Sequence, residues 1–130
     1  MENKQDTFIW KFVQEVWNKG DEKAIDEMMH PDCIVRGLGP MDLVGPEQFK
    51  PFFFTFINDF SEIQLIVEDV IVEGEKQVSR CVARGRHNST GHQVDFTGIS
   101  IFRVVDNKLA EAWNNYDFAR MIQQITGDKE

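Results

Sequence analysis

The sequence has few cysteines and lacks long apolar runs. Its two cysteines, Cys33 and Cys81, are far apart and lack CxxC spacing, which argues against a zinc site. No apolar run approaches the ~18 residues that cross a membrane, and the first ten residues lack the apolar core of a signal peptide. We therefore expect a cytoplasmic protein with reduced thiols, no bound metal and no membrane contact.

Positive charge is also scarce. Lysine and arginine number 14 against 22 acidic residues, which gives a net charge of −8 and a pI near 4.8. Such a surface repels phosphate backbones, so we expect no nucleic-acid partner. Arg80, Arg84 and Arg86 alternate along one predicted strand and share a face, as in a salt-bridged sheet surface or a subunit contact.

Phenylalanine is abundant: the chain has 11 phenylalanines and a single tyrosine. So many rings without a polar tip predict a thick core or an apolar cavity lining, and composition does not separate the two. At 130 residues the chain has the usual length of one domain, and it shows no repeat or linker. We predict a single domain over residues 1–130.

Helical periodicity dominates the first half of the chain. The spacing predicts a helix from Asp6 to Asn18, followed by a left-handed cap at Gly20. A short second helix is predicted over Lys23–Met29, with Asp21 as its N-cap. A third is predicted over Pro46–Asp59, and we expect Pro51 to shorten it or delay its start.

Extended segments dominate the second half. A short strand is predicted over Cys33–Gly37, and four long strands follow the third helix. The predicted bounds of these four strands are Ile63–Val72, Gln77–His87, His92–Val105 and Lys108–Asp117. Their short turns require an antiparallel meander, and a closing helix is predicted over Phe118–Ile125. The fold class is therefore α+β, with the helices on one face of the sheet.

The other sheet face is also predicted to carry apolar side chains. Val78, Val82, Phe96 and Phe102 are assigned to it from the strand pattern. Because an extended apolar sheet face seldom stays in water, we predict a homodimer that packs these outer faces together.

Four short segments resemble the SnoaL-like polyketide cyclase (ester cyclase) branch of the NTF2-like superfamily. They are Val16–Asp21, Val67–Glu75, Ala83–His87 and Lys108–Trp113, the last followed by Asp117 and Gln123-Gln124. Ala83–His87 is similar to the family's Gly-Thr-His segment, with Arg86 in place of threonine. The resemblance implies a cone in which N-terminal helices pack on a curved antiparallel sheet and enclose a pocket.

The resemblance also implies a chemistry. In the polyketide cyclases the aspartate at the position of Asp117 acts as acid and base in an intramolecular aldol ring closure, without a cofactor. One segment departs from the family: the stretch after Gly-Thr-His, which borders the pocket in relatives, is reduced here to Asn88–His92.

Three residues are therefore predicted to be catalytic. Asp117 and Asn115 share strand parity with Trp113, so a concave location would bury the carboxylate and raise its pKa toward neutrality. His87, on a small-residue face, is predicted to relay a proton or polarise a carbonyl, and Asn115 to donate to an enolate oxygen. The structural alternatives are an N-cap for Asp117, a strand-end hydrogen bond for His87 and backbone pairing for Asn115.

Aromatic side chains are predicted to line the substrate pocket. These residues are Trp113, Trp17, Phe53 and Phe56, each of which is equally consistent with a place in the core. A less favoured constellation joins Asp95 and Arg103 to Asp117 for epoxide opening; an ion pair between Asp95 and Arg103 on the outer face is the alternative.

Two main functions follow from these assignments. The first is cofactor-independent cyclase- or isomerase-like chemistry on a small apolar carbonyl compound. The alternative is a non-catalytic module that binds a small hydrophobic ligand. A dimer that serves only as a scaffold is a third possibility, and it predicts a filled pocket.

Overall fold

A six-stranded curved sheet forms the body of the fold, with helices packed against its concave face. The structure is a computed structural model and describes residues 3–127. The predicted domain, residues 1–130, thus includes five terminal positions that lie outside the described residues. No helix in the described part of the chain is long and apolar enough to span a bilayer.

Helices and strands follow the α+β order expected from the sequence. The helices are α1 (Phe8–Phe12), α2 (Glu22–Met28), α3 (Gly45–Asn58) and α4 (Phe118–Thr126). The strands are β1 (Met29–Arg36), β2 (Leu43–Val44), β3 (Phe60–Glu73), β4 (Lys76–His87), β5 (Gln93–Val105) and β6 (Lys108–Tyr116). A 3₁₀ turn, Lys4–Asp6, precedes α1, and α1 continues as a π-helical segment, Val13–Asn18.

The N-terminal helices begin and end within two residues of their predicted bounds. The Thr7 side chain caps α1 by accepting from the Trp10 backbone N–H. Gly20 adopts a left-handed conformation, with φ of 65°, after the π-helical segment. Asp21 accepts from the Lys23 backbone N–H at 3.0 Å and so caps α2. These local signals confirm the predicted boundary between the first two helices.

The expected effect of Pro51 on α3 is wrong. The helix begins at Gly45 and continues through Pro51 to Asn58. A proline inside a helix removes one backbone donor and crowds the preceding turn. Phe49 and Phe53, which lie two residues on either side of Pro51, are only 1% and 0% exposed. Burial of these two rings offsets the local cost, so the helix keeps its full length.

The sheet has the strand order β2-β1-β6-β5-β4-β3. The β3–β6 meander is antiparallel, as predicted. β1 lies parallel to β6 in the sheet, an arrangement that the sequence pattern did not indicate. The pair brings Arg36 opposite Trp113 and leaves β2 at the sheet edge.

The assignment of Phe96 and Phe102 to the outer face is wrong. Phe96 pairs with Ala83 and Phe102 with Gln77 across β4 and β5, and both rings are nearly fully buried on the inner face. The Phe102 ring packs edge-on against Phe12 of α1, with centroids 5.2 Å apart. Only every second residue of β5 faces outward, so the outer apolar positions on this strand are Ile99 and Ile101.

Candidate functional site

An apolar cavity of about 40 Å³ lies between the helices and the concave face of the sheet. One water molecule needs roughly 10–15 Å³ of cavity volume, so this cavity has room for about three waters. Its lining residues come from the π-helical segment, the loop after β1, α3, strands β3–β6 and the start of α4. They are Val13, Trp17, Leu38, Phe52, Phe56, Ile63, Leu65, Ser79, Ala83, Phe96, Ser100, Phe102, Asn114, Tyr116 and Phe118.

A strip of polar side chains interrupts this apolar lining on the sheet. The Ser100 hydroxyl donates to Asn114 Oδ1 at 2.6 Å, and Asn114 Nδ2 donates to the Arg36 carbonyl oxygen at 2.9 Å. These two bonds fix the orientation of the Asn114 amide. Beside them, the Cys81 thiol donates a weak hydrogen bond to the Ser79 hydroxyl at 3.6 Å.

Tyr116 carries the phenol of this polar strip. Burial raises the pKa of Tyr116 well above its ordinary value, the Cys81 thiol raises it further, and a hydrogen bond with Ser100 opposes the shift. The phenol therefore keeps its proton throughout the neutral range. A protonated phenol can donate a hydrogen bond to an oxygen atom.

The predicted inward orientation of Asp117 and Asn115 is wrong. Both side chains are exposed, and with Trp113 they border an open depression on the outer face of the sheet. Asp117 caps α4, because its carboxylate accepts from the Arg120 backbone N–H at 3.1 Å. The Trp113 ring lies near two cations, Arg36 at 5.0 Å and Lys76 at 5.7 Å.

A bulge in β6 explains this inversion. Val104 pairs with Leu109, whereas Arg103 pairs with Glu111, so Ala110 is an extra residue on β6. Leu109 and Ala112 are both buried in the core although they lie three residues apart. Shared parity among Trp113, Asn115 and Asp117 was predicted correctly, but the bulge turns that set away from the cavity.

His87 and the predicted aromatic residues fall in different places. The His87 ring packs against Phe60 with centroids 5.5 Å apart, and its Nδ1 bonds the Thr90 hydroxyl at 3.0 Å. His87 and Asp117 thus have separate partners, and the structure does not bring them together in one site. Trp17 and Phe56 line the cavity, whereas Phe53 is completely buried in the core behind them.

The Asp95–Arg103 constellation is not formed. Asp95 pairs with Arg120 at 2.9 Å and accepts from the Gln124 side chain at 2.8 Å. The hydrogen bond from Gln124, then that from Arg120, lowers the pKa of Asp95. Arg103 pairs with Glu111 at 2.7 Å instead. Within residues 3–127 no three His, Cys, Asp or Glu side chains are grouped to hold a metal ion.

Comparison with known proteins identifies the family. The model of the SnoaL-like polyketide cyclases matches residues 7–125, a range that contains the whole cavity lining. The chain belongs to the SnoaL-like polyketide cyclase family. A search of curated proteins found no match.

Solved structures support the same fold for this SnoaL-like domain. A candidate SnoaL-like polyketide cyclase from Jannaschia sp. CCS1 is 21% identical, with a TM-score of 0.84 over 94% of this chain and 91% of the other. A candidate polyketide cyclase from Bacillus cereus ATCC 10987 is 27% identical, with a TM-score of 0.81 over 92% and 78%. A Catenulispora acidiphila DSM 44928 protein with a ketosteroid isomerase-like fold is 10% identical, with a TM-score of 0.82 over 93% of each chain.

Sequence reasoning missed the polar strip of this SnoaL-like domain. Tyr116, Asn114, Ser100 and Ser79 line the cavity and were not among the predicted site residues. One signal was available, because Tyr116 is the only tyrosine beside 11 phenylalanines. When one ring in an otherwise apolar aromatic set carries a hydroxyl, that hydroxyl usually has a hydrogen-bond partner in the folded protein.

Proposed function

We propose that the cavity binds a small, neutral, apolar compound through its carbonyl oxygen, which accepts a hydrogen bond from the Tyr116 hydroxyl. Hydrogen bonding to that oxygen polarises the carbonyl, as cofactor-independent cyclase- or isomerase-like chemistry requires. The observation that carries the proposal is a protonated phenol in an apolar cavity on the concave face.

The lining favours a neutral ligand. Among the described residues that border the cavity, none carries a carboxylate, an ammonium, a guanidinium or an imidazole group. An ionised ligand would lose its hydration without a compensating charge, at a cost of several kcal/mol. A neutral ketone or ester gives up much less hydration.

The polar strip favours a ligand with an acceptor oxygen. The Ser100 proton is already engaged by Asn114, and one Asn114 N–H is engaged by the Arg36 carbonyl. The Tyr116 hydroxyl is a further donor in the strip, and its present partners are Ser100 and Cys81. A carbonyl oxygen placed near the phenol would replace one of these two partners and leave the Ser100–Asn114 pair intact.

A ligand larger than a few water molecules requires the cavity to widen. Leu38, Phe52, Phe56 and Phe118 line it and are only half-buried, so their side chains have room to move toward solvent. The fully buried Phe96 and Phe102 form the opposite, fixed wall. We therefore expect the ligand to enter past the half-buried rings of α3 and α4.

Acid/base roles for Asp117, His87 and Asn115 stay predictions, and none of the three lines the cavity. The absence of a carboxylate or imidazole from the described lining supports a second candidate function, a non-catalytic module that holds a small hydrophobic ligand. The open cavity favours either function over a dimer that serves only as a scaffold.

The test uses cyclohexanone as the ketone probe. Binding is followed by NMR shifts of the protein, and catalysis by exchange of the α-protons of cyclohexanone in D₂O. We expect the wild type to accelerate exchange, with solvent deuteroxide or buffer base removing the α-proton while the Tyr116 hydroxyl stabilises the enolate oxygen, and Tyr116→Phe to lose about 10²-fold of that acceleration while staying folded. Binding without accelerated exchange would select the non-catalytic module, and equal ketone affinity in wild type and Tyr116→Phe would remove Tyr116 from the proposal.

We also propose that the domain forms a homodimer through its outer sheet face and works in the cytoplasm. Ile99, 48% exposed, and Ile71, 66% exposed, support an apolar contact there, flanked by the partly buried Val78 and Val82. Both cysteines are unpaired, which is consistent with a reducing compartment.

A further inference from the structure

Gly98 occupies the middle of β5, where a glycine weakens a strand. Its backbone lies outside the left-handed region, so any residue could adopt its conformation. Gly98 is buried. A buried strand glycine with ordinary backbone angles indicates that another group approaches its α-carbon closely.

The group that approaches Gly98 is the Tyr116 ring. Gly98 and Tyr116 are direct partners across β5 and β6. A Cβ added at Gly98 would overlap the Cγ, Cδ2 and Cε2 atoms of that ring, so the ring lies flat on the glycine. No other side chain is as near to the added Cβ.

The register of β4, β5 and β6 shows which residues the Tyr116 side chain reaches. Cys81 of β4 is the partner of Gly98 on its other side, so Cys81, Gly98 and Tyr116 form one row across three strands. The Tyr116 hydroxyl interacts with Cys81 and with Ser100. The tyrosine therefore reaches over Gly98 to the cavity floor, a path that a side chain at residue 98 would block.

We propose that Gly98 is the positioning residue of the Tyr116 hydroxyl. Its lack of a side chain lets the phenol lie along the floor of the cavity, buried beside Cys81. The ligand contact made by this hydroxyl rests on the proposed function, whereas its placement by Gly98 does not.

The single tyrosine makes the proposal directly measurable. Tyrosinate absorbance reports Tyr116 alone, because the chain has no other tyrosine. In the wild type we expect tyrosinate to form only well above the ordinary value of about 10. In Gly98→Ala the displaced ring should be exposed to water, and the pKa of its hydroxyl should fall toward that value.

Gly91→Ala is the matched control. Nothing lies within 4 Å of a Cβ at Gly91, and its φ is 75°, so the substitution adds backbone strain without touching Tyr116. We expect its tyrosine titration to match that of the wild type. A folded Gly98→Ala protein whose tyrosine titrates like the wild type would overturn the proposal.

A double variant keeps the test valid if Gly98→Ala does not fold. Tyr116→Ala removes the ring that the new methyl group would strike. We expect Gly98→Ala/Tyr116→Ala to melt at the same temperature as Tyr116→Ala alone, because the two changes share one clash. A further loss of melting temperature in the double variant, equal to that caused by Gly98→Ala in the wild type, would contradict the proposal.

Ketone binding separates this inference from the proposed function. If the pKa of Tyr116 falls in Gly98→Ala and cyclohexanone also binds more weakly, both the placement by Gly98 and the ligand contact of Tyr116 are supported. If the pKa falls but cyclohexanone binding is unchanged, the placement by Gly98 is supported and the ligand contact of Tyr116 is overturned.

Discussion

Trp17 packs edge-on against Phe53, with ring centroids 4.9 Å apart and an interplanar angle of 70°. Trp17 is half-buried and borders the cavity, whereas Phe53 is fully buried. Phe56, one helical turn further along α3, returns to the cavity lining and lies 6.1 Å from Trp17. The boundary between the core and the site therefore runs along a single face of α3.

Alanine substitutions on α3 should separate these two roles. Phe53→Ala leaves a cavity in the core, and we expect it to lower the free energy of unfolding by about 3–5 kcal/mol. Phe56→Ala should cost less, because its ring is already partly exposed, and should change the affinity for cyclohexanone. Urea unfolding and ketone titration of both variants measure the two effects; equal loss of stability would show that no such boundary exists.

Tyr116 should make the protein less stable in alkali. Burial, and then Cys81, raise the pKa of Tyr116 in the folded state, whereas the unfolded chain loses the proton near pH 10. The unfolded state therefore binds fewer protons above that pH, and stability falls by up to about 1.4 kcal/mol per pH unit. Below pH 10 this contribution is fully present and constant.

Tyr116→Phe is the variant for this measurement. Denaturant unfolding between pH 9 and pH 11, a range chosen around the ordinary tyrosine value of about 10, gives the slope of stability against pH. We expect the slope above pH 10 to be shallower in Tyr116→Phe than in the wild type. The Cys33 thiol contributes with the same sign in both proteins, so the difference between them isolates the tyrosine.

Asp117 should prove to be a helix cap in stability measurements. Its carboxylate accepts from the Arg120 backbone N–H, and an asparagine can make the same bond. We expect Asp117→Asn to keep most of the stability and Asp117→Ala to lose about 0.5–2 kcal/mol.

The same pair tests the predicted acid/base role of Asp117. Asparagine keeps the cap but cannot exchange a proton. If Asp117 acts only as a helix cap, Asp117→Asn should leave the rate of cyclohexanone α-proton exchange unchanged. Loss of exchange in a stable Asp117→Asn protein would show that the carboxylate takes part in the chemistry despite its outer location.

Cys33 should be inert in the native protein. Burial raises the pKa of the Cys33 thiol to about 12; Glu111 adds to the rise and Arg36 opposes it. Almost no thiolate exists at neutral pH, and the side chain is 0% exposed. We expect iodoacetamide to label Cys33 only after unfolding, as read by peptide mass spectrometry with urea-unfolded protein as the control. Rapid labelling of the native chain would contradict this account.

The proposed dimer is tested at Ile99. Ile99→Lys puts a charge in the middle of the outer sheet face and should shift the protein to a monomer in light scattering. Ile122→Lys is the matched control, because Ile122 is 55% exposed but lies on α4. A monomeric wild type, or equal dimer content in both variants, would exclude this interface.

Local signals in the sequence predicted most elements of the fold. Gly20 and Asp21 act within one or two residues, and the alternation in β4 and β5 marks both segments as strands, although it did not assign Phe96 and Phe102 to the correct face. The parallel pairing of β1 with β6 depends on contacts between residues about 80 positions apart, and no local pattern carries it. The continuation of α3 through Pro51 likewise depends on packing partners supplied by the rest of the chain.

The candidate site was harder to predict than the fold. Trp17 and Phe56 were found because large apolar side chains on helical faces are visible as a pattern. The polar strip was missed because its members lie on three different strands and acquire a common role only through the register. On β6 the residues of the polar strip alternate with the predicted catalytic residues. An error of one residue in strand parity therefore exchanges the two sets.

The extra residue at Ala110 thus selects which functional groups this strand presents. If this extra residue lay at the C-terminal end of β6 instead, residues 111–116 would turn their opposite faces to the cavity without any substitution. Trp113 and Asn115 would then face the cavity in place of Asn114 and Tyr116. The position of one extra backbone residue therefore decides which of two alternating sets of side chains the cavity receives.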